Sequence, residues 1–255
     1  MRAANQGIRE PLTREYVGGN ATVPPPPEEV IAGQAVYNRF MLAGYDVLVL
    51  GFHCRLVWRC AKRHMLDNYQ RNIGARHAEF GTGTAYFLDR CGFPTATPEL
   101  TLVDLNPTVL RVSAARAARY HPTVVQADVL QPLPFDGGRL QAGHHDSVGA
   151  NFLLHCLPGT WAEKGVVFDN AAVALRPGGR IFGSTILSSG VRVNAPARRL
   201  MKVYNARGIF HNTDDDLAGL RWQLDQRFTD IQLAVRGCVA LFEATKPAPT
   251  ENQAG

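Results

Sequence analysis

The chain has 255 residues, of which 45% are hydrophobic and 19% charged, a composition typical of a folded globular protein. Its net charge is +5, but the basic residues are scattered, and no long run of like charges indicates a nucleic-acid-binding arm. Five cysteines without a C-x-x-C pair argue against a zinc knuckle and against a disulfide framework.

Export and membrane insertion are not indicated by the sequence. Residues 1–22 are polar and lack the apolar core of a signal peptide. No apolar run approaches the roughly 18 residues that cross a bilayer. We therefore expect a cytoplasmic protein that binds neither membrane nor nucleic acid and exists as a monomer or homodimer.

The N-terminal part divides at a run of four prolines that ends at Pro27. Such a run favours an extended segment, so residues 1–27 are predicted to be a disordered tail. Residues 28–75 are predicted to form an N-terminal helical lid, with one or two helices before Phe52 and another over 56–72.

From Arg76 onward, short apolar runs alternate with helical stretches, which is typical of βαβ units. Strands are predicted at 77–80, 100–104, 123–126, 146–150 and 180–185. Helices are predicted at 84–91, 107–120 and 161–175. A last pair of strands, 228–235 and 238–244, is joined by a turn so short that the pair must be antiparallel. Residues 76–246 are thus predicted to form one α/β domain with a helical insertion over 187–227, followed by a disordered tail over 247–255.

Three acidic residues, Glu79, Asp104 and Asp128, fall at or just after the ends of the first three predicted strands. Ligands bind outside the carboxyl ends of the strands in an open α/β sheet, so these carboxylates are predicted to line one crevice. Gly81 and Gly83 permit a tight strand-to-helix turn. Tyr86 occupies the place of the third glycine of a dinucleotide fingerprint, which argues against a dinucleotide ligand.

The run His77-Ala-Glu-Phe-Gly-Thr-Gly-Thr-Ala-Tyr-Phe-Leu resembles motif I of the class I S-adenosylmethionine (SAM)-dependent methyltransferases. The family's next motifs are similar to four further segments: Leu102-Val-Asp-Leu-Asn-Pro107, Gln126-Ala-Asp-Val129, 145–148 and 151–158. Leu175-Arg-Pro-Gly-Gly-Arg-Ile-Phe resembles its turn into the fifth strand. The resemblance covers residues 76–185. It implies a Rossmann-like, seven-stranded, mostly parallel sheet with an antiparallel last strand and helices on both faces.

The resemblance also implies SAM as the cofactor and gives residues to hold it. Asp104 would bind the ribose hydroxyls, Asp128 would accept from the adenine amino group, and Glu79 would suit an ammonium group. The full predicted set for the cofactor is Glu79, Gly81, Thr82, Gly83, Asp104, Leu105, Asp128, Val129 and Asn151. Ala85 departs from the family pattern, which usually has a third glycine there.

Two histidines are candidate general bases. His155 follows the fourth strand, in the loop that faces the methyl group in this family, although it also fits a packing role beside the cofactor. His211 lies in a predicted loop over the crevice. Asp169-Asn170 superficially matches a catechol-type metal ligand pair, but it falls inside a predicted helix, so no metal is expected.

The sequence therefore predicts an enzyme that moves a methyl group from SAM to O, N or C of a small, largely apolar metabolite, as in secondary metabolism. Tyr45 and Trp58 are predicted to form part of the substrate pocket wall. The alternatives are an RNA or protein methyltransferase and a SAM-binding protein without methyl transfer, such as a cyclase or a regulator.

Overall fold

The computed structural model describes residues 54–135 and 138–248. The predicted N-terminal tail, Tyr45 and the lid residues before 54 lie outside the described residues. The same holds for residues 249–255 of the predicted C-terminal tail. In the part of the chain that is described, no helix is both long and apolar enough to cross a membrane.

Seven strands form one sheet in the order β3-β2-β1-β4-β5-β7-β6. They are β1 Arg76–Phe80, β2 Glu99–Asp104, β3 Thr123–Gln126, β4 His145–Asn151, β5 Leu175–Ile186, β6 Thr229–Arg236 and β7 Val239–Thr245. The first five are parallel, and β7 runs antiparallel to both β5 and β6. The predicted Rossmann-like sheet with an antiparallel last strand is confirmed.

Among the described residues, six α-helices pack around this sheet. They are α1 Lys62–Asn72, α2 Tyr86–Arg90, α3 Pro107–Arg116, α4 Trp161–Ala174, α5 Ala195–Ala206 and α6 Leu217–Asp225. α3 begins as its sequence predicts, because the Asn106 side chain accepts from the backbone N–H of Thr108 at 2.8 Å and Pro107 needs no partner. α5 and α6 lie within the segment 187–227 that the sequence marks as a helical insertion.

The described core consists of two hydrophobic clusters, one on each face of the sheet. Adjacent residues on a strand point to opposite faces, and Leu102 belongs to one cluster while Val103 belongs to the other. Tyr69 of α1 packs in the first cluster and Phe168 of α4 in the second. Helices therefore cover both faces, as predicted.

Three predicted boundaries differ from the structure by more than two residues. The helix predicted over 56–72 begins only at Lys62, because residues 54–57 form a π-helical turn and Arg59 has a left-handed φ of 55°. The helix predicted over 107–120 ends at Arg116 and continues as a 3-10 turn, Ala118–Tyr120. The fifth strand begins at Leu175, and its register against β4 shifts between His145 and Ser147.

The outer strand β6 is irregular where it begins. Its register against β7 shifts between Thr229 and Gln232. Asp230 has a φ of 51°, in the left-handed region that an L-residue rarely adopts. Extra twist and local unpairing are the usual result of such a bulge.

Candidate functional site

The three predicted acidic residues all lie at or just after the carboxyl ends of parallel strands. Glu79 is in β1, Asp104 ends β2 and Asp128 follows β3. The strand order reverses between β1 and β4, and ligands bind in such sheets at the carboxyl ends of the strands beside that reversal. That rule puts the predicted crevice at these strand ends; that one crevice joins all three carboxylates stays a prediction.

In the loop after β1, every second residue has a left-handed backbone conformation. Gly81, Gly83 and Ala85 have φ values of 72°, 49° and 55°. At Gly81 an added Cβ would also lie 2.6 Å from the Leu153 side chain. Ala85 adopts the left-handed conformation at the start of α2 despite its methyl group, so the backbone shape of a third glycine is kept.

Asp104 joins this loop to the start of α3. One carboxylate oxygen accepts from the Thr82 N–H and the other from the Asn106 N–H, both at 2.9 Å. The Thr82 hydroxyl in turn donates to the Ser113 hydroxyl at 3.0 Å. The hydrogen bonds of Asp104 and Thr82 therefore hold the glycine loop against α3. Burial raises the pKa of Asp104 to about 6, although these hydrogen bonds oppose the shift.

Asp128 has one satisfied and one unsatisfied carboxylate oxygen. Its Oδ1 accepts from the Leu130 N–H at 2.9 Å. Its Oδ2 is buried and finds no hydrogen-bond partner among the described residues. An orphaned buried acceptor is costly in a folded protein unless a ligand supplies the donor. The residue therefore fits a ligand that offers an N–H group, as the adenine amino group does.

Asn170 holds the segment that follows Asp128, a role that the sequence did not reveal. Its buried amide donates to the carbonyls of Val129 at 2.9 Å and Gln131 at 2.8 Å, and it accepts from the Leu133 N–H at 3.1 Å. The predicted site residue Val129 is thereby fixed through its backbone. Asn170 lies inside α4, as predicted, and its side chain holds the loop after β3.

A cavity opens beside the glycine loop. Its lining includes Glu79 of β1, Tyr69 of α1, and Asn151 and Phe152 at the end of β4. The Tyr69 hydroxyl donates to Oε1 of Glu79 at 2.6 Å. Tyr69 belongs to the predicted lid helix, but no sequence pattern indicated that its hydroxyl contacts Glu79.

Asn151 and Phe152 form the β4 side of this cavity. The side-chain oxygen Oδ1 of Asn151 accepts from the Ser184 hydroxyl, which fixes the orientation of the side-chain amide. Phe152 has a left-handed φ of 53°, a strained conformation for a residue with a Cβ and one that is often found at functional sites. Its backbone N–H donates to the Ser184 carbonyl at 2.8 Å, so both residues are tied to β5.

His155 is buried and fixed in one tautomer. It is 3% exposed, and its Nδ1 accepts from the backbone N–H of Ile186 at 3.3 Å. The proton of the neutral ring is therefore on Nε2. Burial and then the charge of Lys164 lower the pKa of His155 to about 3. This geometry suits the packing role more than that of a base.

His211 has the same tautomer as His155 but is less buried. It is half-buried, and its Nε2 is 3.2 Å from the Gly208 carbonyl. A carbonyl only accepts, so Nε2 carries the proton and the lone pair is on Nδ1. The His211 backbone N–H donates to the His155 carbonyl at 2.8 Å, which joins its loop to the segment after β4.

Aromatic rings continue from the cavity toward this loop. Phe152 contacts His155, and His155 contacts Phe210 with ring centroids 4.5 Å apart. Phe210 in turn contacts Tyr204 and Trp58. Trp58 is only 1% exposed and packs against the ring of Phe210. Its contribution to a pocket wall stays a prediction.

Comparison with known proteins gives the same family. Residues 78–181 match the model of a methyltransferase domain. The chain is 46% identical to demethylluteothin O-methyltransferase of Streptomyces thioluteus, over 85% of this chain and 92% of that protein. It is 37% identical to a physcion biosynthesis cluster O-methyltransferase of Aspergillus chevalieri, over 84% of this chain and 95% of that one.

A solved structure shares the fold. The N-methyltransferase NodS of Bradyrhizobium japonicum WM9, in complex with S-adenosyl-L-homocysteine, superimposes with a TM-score of 0.55. The match covers 81% of this chain and 97% of that one at 15% sequence identity. At that identity, the similarity concerns the fold alone.

Proposed function

The chain belongs to the class I SAM-dependent methyltransferases that act on small molecules, and we propose that it methylates a hydroxyl oxygen of a largely apolar specialised metabolite. The observation that carries the choice of oxygen is the 46% identity, over nearly the whole length, to an enzyme named as an O-methyltransferase. The relative from the physcion cluster is named in the same way.

Three carboxylates would hold the cofactor. Asp104 offers its two oxygens to the ribose hydroxyls, the unpaired Oδ2 of Asp128 accepts from the adenine amino group, and Glu79 faces the ammonium group. The orphaned oxygen of Asp128 and the cavity that Glu79 lines support this fit. When bound, SAM supplies a methyl group activated on a sulfonium. The protein then mainly has to position the acceptor and exclude water.

The acceptor would lie against the aromatic rings at the end of β4. Phe152 lines the cavity, and the aromatic cluster continues through His155 to Phe210 and Tyr204. Such a wall favours a flat, apolar acceptor over a highly charged one. The acceptor hydroxyl can then approach beside Asn151, whose amide is oriented by Ser184.

A hydroxyl acceptor must lose its proton as the new carbon–oxygen bond forms and the carbon–sulfur bond breaks. We assign that proton to Nδ1 of His211, because its Nε2–H is held by the Gly208 carbonyl. His155 presents Nε2–H on its other side and serves as a fixed part of the aromatic wall.

The function is tested by incubating the purified enzyme with SAM and three matched aromatic compounds. One carries a hydroxyl, one carries an amino group in its place, and one carries the hydroxyl already blocked as a methyl ether. Products heavier by one CH2 are identified by mass spectrometry, and S-adenosylhomocysteine is measured in parallel. We expect methylation of the hydroxyl compounds only. Methylation confined to amines, or SAM binding with no product from any acceptor, would overturn the proposal.

A further inference from the structure

Four buried side chains form a continuous hydrogen-bonded line next to the cofactor cavity. The Ser147 hydroxyl is 2.8 Å from Nδ1 of His77, and Nε2 of His77 is 3.0 Å from Oε2 of Glu79. The line ends at Tyr69, whose hydroxyl donates to the other oxygen of Glu79. None of the four is more than 3% exposed. We call them the Glu79 line.

The register of the sheet brings three of these residues together. His77 and Glu79 are two positions apart on β1, so both side chains point to the same face. β4 pairs His77 with Ser147 and Glu79 with Gly149. A Cβ at position 149 would overlap Oε2 of Glu79. Gly149 therefore leaves the space into which the carboxylate fits.

The protons along the line can be assigned from the donors that surround it. The backbone N–H of Gly74 donates to the Ser147 oxygen at 2.8 Å. The Ser147 hydroxyl is then free to donate to Nδ1 of His77, which leaves the imidazole proton on Nε2. That proton is directed at Glu79, which thus accepts from His77 on one oxygen and from Tyr69 on the other.

Only part of the line reaches the cavity. Tyr69 and Glu79 are among the lining residues, whereas His77 is fully buried behind them and packs on Phe182. Any effect of His77 on a ligand must therefore pass through Glu79. Hydrogen bonds to a carboxylate favour its charged form and fix its direction, and both properties matter for binding an ammonium group.

We propose that His77, oriented by Ser147, is a positioning residue that holds Glu79 as a charged and directed acceptor for the ammonium group of the cofactor. The proposal rests on the SAM-binding role of this site. It predicts a specific pattern: losing the His77 donor should weaken only those ligands that carry the ammonium group.

The test compares two ligands by isothermal calorimetry. S-Adenosylhomocysteine carries the ammonium group, whereas 5′-methylthioadenosine has the same adenine and ribose without it. In His77→Leu we expect about a tenfold or larger loss of affinity for S-adenosylhomocysteine, the size of one charge-assisted hydrogen bond. Affinity for 5′-methylthioadenosine should stay within about twofold.

Two further variants make the comparison decisive. His77→Gln keeps an N–H donor at a similar reach and should restore S-adenosylhomocysteine binding to within about threefold of the wild type. Asp104→Ala removes a contact to the ribose that both ligands share, so it should weaken both. If His77→Leu is unstable, Ser147→Ala tests the same line from its other end and should give the same selective loss.

The outcomes separate this inference from the proposed function. An equal loss of both ligands in His77→Leu and Ser147→Ala would show a merely structural role, and no loss of either would show no role; both results overturn the inference alone. A wild-type enzyme that binds neither ligand would instead overturn SAM binding at this site, and the inference with it.

Discussion

Lys164 and Asp215 form an ion pair that solvent does not reach. The ammonium nitrogen is 2.7 and 2.8 Å from the two carboxylate oxygens, and the side chains are 0% and 3% exposed. The same nitrogen donates to the His211 carbonyl at 2.9 Å. The pair therefore ties α4 to the loop that carries the proposed base, and it decides where His211 is held.

Breaking this pair should be strongly destabilising. Lys164→Met leaves the Asp215 carboxylate buried without its counter-charge, for which we expect a loss of about 3–5 kcal/mol in the free energy of unfolding. Urea denaturation measures it. The double variant Lys164→Met/Asp215→Leu removes both charges and should recover most of the loss.

An exposed pair supplies the control for this experiment. Arg221 and Asp225 lie four residues apart on α6 with side chains 53% and 43% exposed. Arg221→Ala should therefore cost less than about 1 kcal/mol. A loss of similar size in Arg221→Ala and Lys164→Met would contradict the importance assigned to the buried pair.

Asp128→Asn tests the orphaned oxygen. The substitution keeps an oxygen for the Leu130 N–H but replaces the unpaired acceptor by an NH2 group, which cannot accept from adenine. We expect a loss of SAM affinity of about 10- to 100-fold and an unchanged or higher Tm of the ligand-free protein. Calorimetry and thermal denaturation measure the two quantities. A lower Tm with unchanged affinity would mean that Asp128 acts only within the fold.

SAM affinity should depend on pH through Asp104. Its pKa is raised to about 6 by burial, and only the carboxylate can accept two ribose hydroxyls. Affinity should therefore fall as pH decreases through about 6. In the ligand-free protein the sign is opposite: a carboxyl whose folded pKa is raised stabilises the fold at low pH and loses that contribution as pH rises toward 6. Calorimetry at several pH values checks the first effect, and Asp104→Asn should bind weakly and without this pH dependence.

The two histidines should respond differently to substitution. His211→Ala removes the proposed base and should lower kcat for a hydroxyl acceptor by about 10²- to 10⁴-fold while SAM affinity is kept. His155→Asn keeps an acceptor for the Ile186 N–H and should retain far more stability than His155→Leu. Steady-state kinetics and thermal denaturation measure these effects. A larger loss of kcat in His155→Asn than in His211→Ala would reverse the assignment.

The sequence was most informative where function depends on local order along the chain. Glu79, Asp104 and Asp128 could be placed because each lies at or just after the end of a predicted strand. The glycine loop could be placed because it follows β1 directly. The seven-stranded, mostly parallel sheet came from the family resemblance, and the antiparallel last pair also from the short turn between its strands; both are confirmed by the structure.

What the sequence did not reveal depends on contacts between distant segments. Ser147 meets His77 only through the β1–β4 register, and Tyr69 meets Glu79 only because α1 packs on that face. Asn170 was considered solely as half of a metal pair, although its amide binds the segment after Asp128. One local signal existed: His77 and Glu79 stand at alternate positions of β1, so their side chains share one face of the sheet, where they form a buried polar pair.

The outer edges of the sheet also bear on how copies of this protein behave when concentrated. At one edge β3 has only four residues. At the other, β6 begins with the bulge at Asp230 and ends at the exposed Arg236. Short, bulged and charged edges are poor templates for another strand. Within the described residues, the two edge strands therefore offer a poor template for edge-to-edge polymerisation.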